Sequence, residues 1–150
     1  MTYPAPTGAA GAQGGRGGGP MAAPGMFSVR LTVNGATTAQ PLELRPDPRV
    51  TRDGITQAVL EEQLAFNLKV RDLVSEANRV ADRLRGAKLP ALDADFFTPP
   101  VRYSKPGLQA HIAYLYGMTT GADQRVGRDA VQRYAELRSA LDALVRQLPK

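Results

Sequence analysis

The longest helical pattern in the chain is "VLEEQLAFNLKVRDLVSEANRVADRL", residues 59–84. Its apolar side chains recur at alternating steps of four and three, which is the spacing of a heptad seam on one face of a helix. Other apolar residues widen the seam into a broad stripe, so we expect this helix, from about Asp53 to Ala87, to pack on more than one neighbour. The seam is polar only at Gln63, and its members are Val59, Gln63, Phe66, Val70, Leu73, Ala77, Val80 and Leu84.

Two shorter helical patterns follow the long one. The first runs from about Leu108 to Met118, and the second runs from about Arg128 to Gln147. The proline-rich segment 90–106 predicts a loop between them and the long helix, held to the helices by Phe96 and Phe97. The expected arrangement is a three-helix antiparallel bundle in which one long helix is braced by two shorter ones.

A β-hairpin is predicted upstream of the helices, in "FSVRLTVNGATTAQPLEL", residues 27–44. Apolar and polar residues alternate there as in a half-buried strand. Asn34-Gly35 suits a type I′ turn, because both residues tolerate positive φ. A two-residue loop places Phe27 opposite Leu42, so both strands share one apolar face. Pro41 cannot donate to a strand ladder, which predicts that its strand lies at an edge or is bulged there.

The chain therefore divides into three predicted parts. Residues 1–25 are rich in Gly, Ala and Pro and are expected to form a disordered loop or tail. Residues 26–50 form the hairpin, and residues 51–150 form the helical bundle, which gives a mostly α fold class. An isolated two-stranded hairpin is marginal in water. We therefore expect it to pack on the helices or to pair with another chain across its open edge.

The side chains needed for catalysis do not assemble into a recognisable motif. The sequence has no Cys, which excludes disulfides, thiolate metal sites and a Cys nucleophile. His111 is the only histidine, and no serine lies in a G-x-S-x-G motif. The "GGRGGG" run at residues 14–19 lacks the Lys-Ser/Thr of a phosphate-binding loop. The sequence thus predicts no enzyme activity, with no catalytic, cofactor-binding or metal-binding residue assigned and no cofactor expected.

The charge and the hydropathy argue against two further classes of partner. The formal net charge is +5 and is spread along the chain, which argues against a nucleic-acid-binding stripe. No run approaches the roughly 18 apolar residues of a membrane span. The N-terminus as written has neither the basic nor the apolar segment of a signal peptide. A basic protein that binds nucleic acid nevertheless stays open as an alternative, and its binding affinity would depend steeply on salt concentration.

Two stretches together carry a resemblance to a known family. Residues 20–50 contain an Ala-Pro-Gly, an aromatic residue, a V-R-L-T-V strand, an Asn-Gly turn, a Q-P-L strand and a D-P-R in that order. Helical stretches at residues 71–85 and 108–127 follow. This order resembles the C-terminal region of large bacterial proteins built on a sortilin-like, BNR/Asp-box β-propeller, which are described as glycosyl-hydrolase-like. The resemblance covers residues 20–148.

The resemblance implies that the hairpin is the remnant of a small immunoglobulin-like sandwich beyond the propeller. The propeller and most of the sandwich have no counterpart here, and the chain has no Trp, which the Asp-box repeat carries. The implied function is therefore a non-catalytic C-terminal structural or accessory module, and the chain is expected to be a fragment of an exported parent in the periplasm or outside the cell. No catalytic residue carries over, because no position matches one.

The expected partner is the sandwich or propeller portion of such a parent, or another chain that completes the sheet. The alternative is a free-standing helical interaction module that forms a homodimer through the heptad seam. The candidate contact residues are Phe27, Val29, Leu31, Leu42 and Leu44 on the hairpin, with Phe66, Val70 and Leu73 on the seam.

Overall fold

A computed structural model of the chain describes residues 1–8, 18–87 and 89–149. It confirms the mostly α class with a two-stranded antiparallel hairpin ahead of the helices. The elements in chain order are β1 (Gly25–Val33), β2 (Ala36–Leu44), α1 (Pro48–Arg52), α2 (Gln57–Ala87), α3 (Pro90–Phe96), α4 (Leu108–Thr120) and α5 (Arg128–Val145).

The hairpin has the predicted register. Phe27 lies opposite Leu42, and the pairing runs without a break from Gly25 and Leu44 to Val33 and Ala36. The turn residues have positive φ angles of 50° at Asn34 and 83° at Gly35, as a type I′ turn requires. The unbroken pairing shows that Pro41 lies on an edge strand without a bulge.

The long helix begins later than the sequence pattern predicts. A short helix, α1, comes first: Pro48 occupies its first turn, and the Asp47 carboxylate accepts a hydrogen bond of 2.8 Å from the Arg49 N–H. Gly54 then takes a φ of 81°, which breaks the helical path. The expected start near Asp53 is therefore wrong by four residues, since α2 begins at Gln57.

The proline-rich segment is more ordered than a loop. Pro90 begins the seven-residue α3, because proline's fixed φ suits the first helical position. Phe96 at its end is fully buried, and the Arg85 guanidinium lies 5.3 Å from the centre of the Phe97 ring. The expectation that these two aromatic residues hold the segment to the helices is confirmed.

One hydrophobic core joins the helices. The α2 stripe packs against α4 and α5, and α4 packs against α5. The fully buried side chains include Val70, Leu84, Ile112 and Leu141. The antiparallel arrangement of the three larger helices stays a prediction.

Part of the Gly- and Pro-rich N-terminus makes defined contacts. The Tyr3 N–H donates to the Pro20 carbonyl at 2.8 Å, which joins residues 1–3 to residues 20–22. The Thr7 N–H donates to Ser75 Oγ at 3.1 Å, and Asn78 Nδ2 donates to the Thr7 carbonyl at 2.9 Å. These two hydrogen bonds hold Thr7 of the N-terminal segment against α2. The predicted disorder is not confirmed for these stretches, and its central part, residues 9–17, lies outside the described residues.

Candidate interaction surface

The apolar face of the hairpin is largely open to solvent. The exposed fractions are 52% for Val29, 64% for Leu31, 55% for Val33 and 41% for Leu42. Large apolar side chains grouped on one sheet face are typical of a surface that packs against another element. We call these four residues, with Phe27 and Leu44, the hairpin face.

Among the described residues, the hairpin is covered only near its base. Phe27 and Leu44 are partly buried there, and the segment just before β1 is buried at Ala22, Ala23 and Pro24. The remainder of both strands is exposed on the apolar and the polar side. We expected the hairpin either to pack on the helices or to pair with another chain. The structure shows that its apolar face does not pack on the helices.

The two outer edges of the hairpin differ in their hydrogen-bonding capacity. The hydrogen bond that closes the two-residue turn makes Val33 and Ala36 a hydrogen-bonded pair. Along an antiparallel hairpin, hydrogen-bonded pairs then alternate with pairs that are not hydrogen-bonded to each other. Ser28 and Pro41 are consequently a non-hydrogen-bonded pair, whose backbone groups face outward. Since proline has no N–H, the outer edge of β2 lacks a donor at that position, whereas every residue of β1 retains its own.

The candidate residues on the heptad seam lie in a different environment. Phe66 is 9% exposed, Val70 is fully buried and Leu73 is 2% exposed. The helices of this same chain cover them, and Phe66 makes an edge-on contact with the Tyr134 ring, with ring centres 5.8 Å apart. These three residues are therefore core residues in this structure, and the structure does not bring them together with the hairpin face.

A polar cluster missed by the sequence analysis lies at the polar position of the seam. Gln63 Nε2 donates to the carbonyls of Thr119 at 2.9 Å and Ala122 at 2.7 Å. Asn67 Nδ2 donates to the same Thr119 carbonyl at 3.0 Å, and its Oδ1 has no partner among the described residues. The cluster ties α2 to the turn after α4. The polar break in the seam at Gln63 was the sequence signal for it.

This cluster forms one wall of a cleft of about 440 Å³ at the base of the hairpin. The opposite walls come from the exit of β2 and from the segment before β1. At the rim, hydrogen bonds from the Arg49 side chain and backbone hold the pKa of Asp47 below its usual value. The same carboxylate caps the start of α1, directly after the exit from β2.

The remaining candidates for chemistry stay dispersed. His111 is half-buried within α4. Across the described ranges, no group of three or more His, Cys, Asp or Glu side chains could hold a metal ion. In the same part of the chain, no helix has the length and apolar character needed to cross a membrane. The hairpin face is thus the most prominent candidate surface.

Comparisons with known proteins identified no relative of this chain. A scan against protein-family models found no matching family, and searches of curated proteins and of solved structures found no match.

Proposed function

We propose that this chain is a non-catalytic accessory module that docks the hairpin face onto a β-sheet domain of a larger assembly. The observation that carries the proposal is the exposed hairpin face, with Leu31 the most exposed of its apolar side chains at 64%. Packing such a face against a second sheet removes apolar area from water, which contributes about 25 cal/mol per Å² buried before the entropy cost of association is subtracted. The helical bundle serves as the rigid base that presents the hairpin.

The resemblance of residues 20–148 to sortilin-like β-propeller proteins suggests the identity of that domain. The partner would be an immunoglobulin-like sandwich beside the propeller, and the assembly would be periplasmic or extracellular. Catalysis or sugar binding, where the assembly has it, would belong to the partner. The purified chain is accordingly expected to hydrolyse no chromogenic aryl glycoside, and turnover that co-purifies with the chain would contradict the proposal.

The genomic region upstream of the Met1 codon provides the first test. The expected result is an in-frame continuation that encodes Asp-box repeats and further strands of the sandwich. A promoter and a ribosome-binding site directly before Met1 would contradict the assignment to a propeller protein.

The second test measures protection of the hairpin face. Because the chain has no Cys, Leu31→Cys and Tyr114→Cys each supply a single thiol for maleimide labelling. Tyr114, on α4, is 69% exposed and serves as the matched control. Mixing with the upstream-encoded sandwich segment should slow labelling at position 31 and leave position 114 unchanged. Equal labelling rates at position 31 with and without the segment would refute docking through this face.

A further inference from the structure

The outer edge of β1 is an open template for another strand. The residues whose backbone groups face outward are Met26, Ser28, Arg30 and Thr32, and all four are exposed. Within the described residues, β1 pairs with β2 alone. The outer edge of β2 is blunted by Pro41, which is a common protection of edge strands. The hairpin therefore has one competent edge.

A second copy of β1 matches this edge. Antiparallel pairing about Val29 is the register that pairs all nine residues, because it sets Gly25 opposite Val33 of the other copy. Outward-facing residues then meet each other, with Arg30 opposite Ser28 of the second copy. This register avoids setting the two Arg30 guanidinium groups directly opposite, which like charges disfavour. Pairing centred on Arg30 instead of Val29 would place the two Arg30 guanidinium groups directly opposite each other.

The apolar side chains also match in this register. Phe27 lies opposite Leu31 of the second copy, and the two Val29 side chains lie opposite each other. Apolar side chains that lie directly opposite each other on one face stabilise an antiparallel sheet, because each covers the other from water. Both hairpin faces would lie on the same side of the joined sheet.

We propose that two copies of this chain pair antiparallel through the outer edges of β1, about Val29, to form a four-stranded sheet with the order β2–β1–β1–β2. The contact is isologous, so a two-fold axis passes through it. The pairing goes beyond the proposed docking function, because it uses the strand edge and leaves the hairpin face free. The docking proposal and the pairing proposal can therefore be tested, and refuted, independently.

The test compares two proline variants in sedimentation equilibrium over a concentration series. Arg30 and Ala39 are directly opposite in the hairpin, at a pair whose N–H groups face outward. Neither Arg30→Pro nor Ala39→Pro removes a bond within the hairpin. Arg30→Pro should weaken the dimer about 30-fold. The substitution is present in both copies, so it removes two inter-chain hydrogen bonds, each with the usual net contribution of a protein hydrogen bond. Ala39→Pro, on the blunted edge, should change the dissociation constant less than about 2-fold.

Two further measurements keep the result interpretable. Arg30→Ala keeps the backbone N–H, so it should dimerise like the parent chain. In the unmodified protein, amide exchange at Ser28 and Arg30 should slow as concentration rises, whereas exchange at Thr37 and Ala39 should not. A chain that stays monomeric at every concentration, or equal weakening by both proline variants, would overturn the β1 pairing and would leave the docking test at position 31 unaffected.

Discussion

Gln63 shows how a single residue connects helices that the rest of the seam holds by apolar contact alone. Its side-chain amide donates to two carbonyls at the end of α4, and its Oε1 accepts from the Gln124 N–H at 3.2 Å. A buried amide that satisfies three backbone groups fixes one relative position of two elements, because a shift along the helix would leave these groups unpaired.

Replacing Gln63 with Leu should destabilise the fold by about 2 kcal/mol, since buried backbone groups lose their partners. Urea unfolding followed by circular dichroism measures the change. Gln57→Leu is the matched control, because within the described residues the exposed Gln57 side chain bonds only to Glu61, one turn away. A smaller loss for Gln63→Leu than for the control would show that the buried amide is dispensable.

A second residue-scale link is ionic. Arg138 on α5 donates to both carboxylate oxygens of Glu76 on α2, one of them at 2.8 Å, and also bonds to Asp142. The hydrogen bonds from Arg138 hold the pKa of Glu76 below its usual 4.5. The guanidinium pKa of Arg138 is raised by the same partners, so it stays charged.

This link predicts a dependence of stability on pH. Because the pKa of Glu76 is lower in the folded state, its stabilisation is complete above the unfolded value of about 4.5 and is lost as pH falls through the folded pKa. Arg138→Leu should cost about 1 kcal/mol at pH 7 and flatten this acid limb. Thermal unfolding between pH 7 and acidic pH measures it. Arg133→Leu breaks an exposed pair that also lowers the pKa of Glu136, and it should change the acid limb less than Arg138→Leu does, because water screens exposed pairs.

At the scale of elements, the hairpin and the bundle are nearly separate. β1 and β2 contact each other extensively, whereas the helices share one core that excludes most of the hairpin. Elements with so few shared buried contacts unfold with different free energies. A change in the hairpin turn should therefore affect the strands and leave the bundle intact.

Gly35 and Gly86 test this separation with the same substitution. Gly35→Ala places a side chain at a φ of 83°, which should destabilise the hairpin by about 1 kcal/mol. Gly86→Ala, in α2 with open space around the new Cβ, should stabilise the helix by about 0.5–1 kcal/mol. Amide exchange should show faster exchange in β1 and β2 for Gly35→Ala alone. Faster exchange throughout α2 in that variant would show that hairpin and bundle are coupled.

At the scale of the whole molecule, apolar residues of the same kind have two different roles. Leu141 is fully buried in the helical core, and Leu31 is mostly exposed on the hairpin face. The first holds the chain together, and the second is available to a partner.

Leu141→Ala should lower the free energy of unfolding by about 2–5 kcal/mol through lost burial and a cavity. Leu31→Ala should leave it within about 0.5 kcal/mol of the parent chain, as for other exposed sites. Chemical denaturation monitored by helical circular dichroism compares the two. Similar losses would mean that the hairpin face is buried in solution by the chain or by a second copy.

Much of the architecture follows from local patterns in the sequence. The Asn34-Gly35 turn, the register from Phe27 to Leu42 and the end of α2 at Ala87 depend on backbone preferences and periodicity, which neighbouring residues determine. The two short helices, α1 and α3, were missed because each begins at a proline. The same residue ends a strand or starts a helix, and the sequence alone does not distinguish these outcomes.

Local sequence patterns were enough to predict which residues are apolar and on which face of each element they lie. Which of those faces are covered became clear only from the packing of the elements. Phe66, Val70 and Leu73 lie on the apolar face of α2, and Val29, Leu31 and Val33 lie on the apolar face of β1, yet the first three are core residues and the last three are exposed. Periodicity specifies the direction of a side chain relative to its own element, whereas burial depends on where distant elements pack.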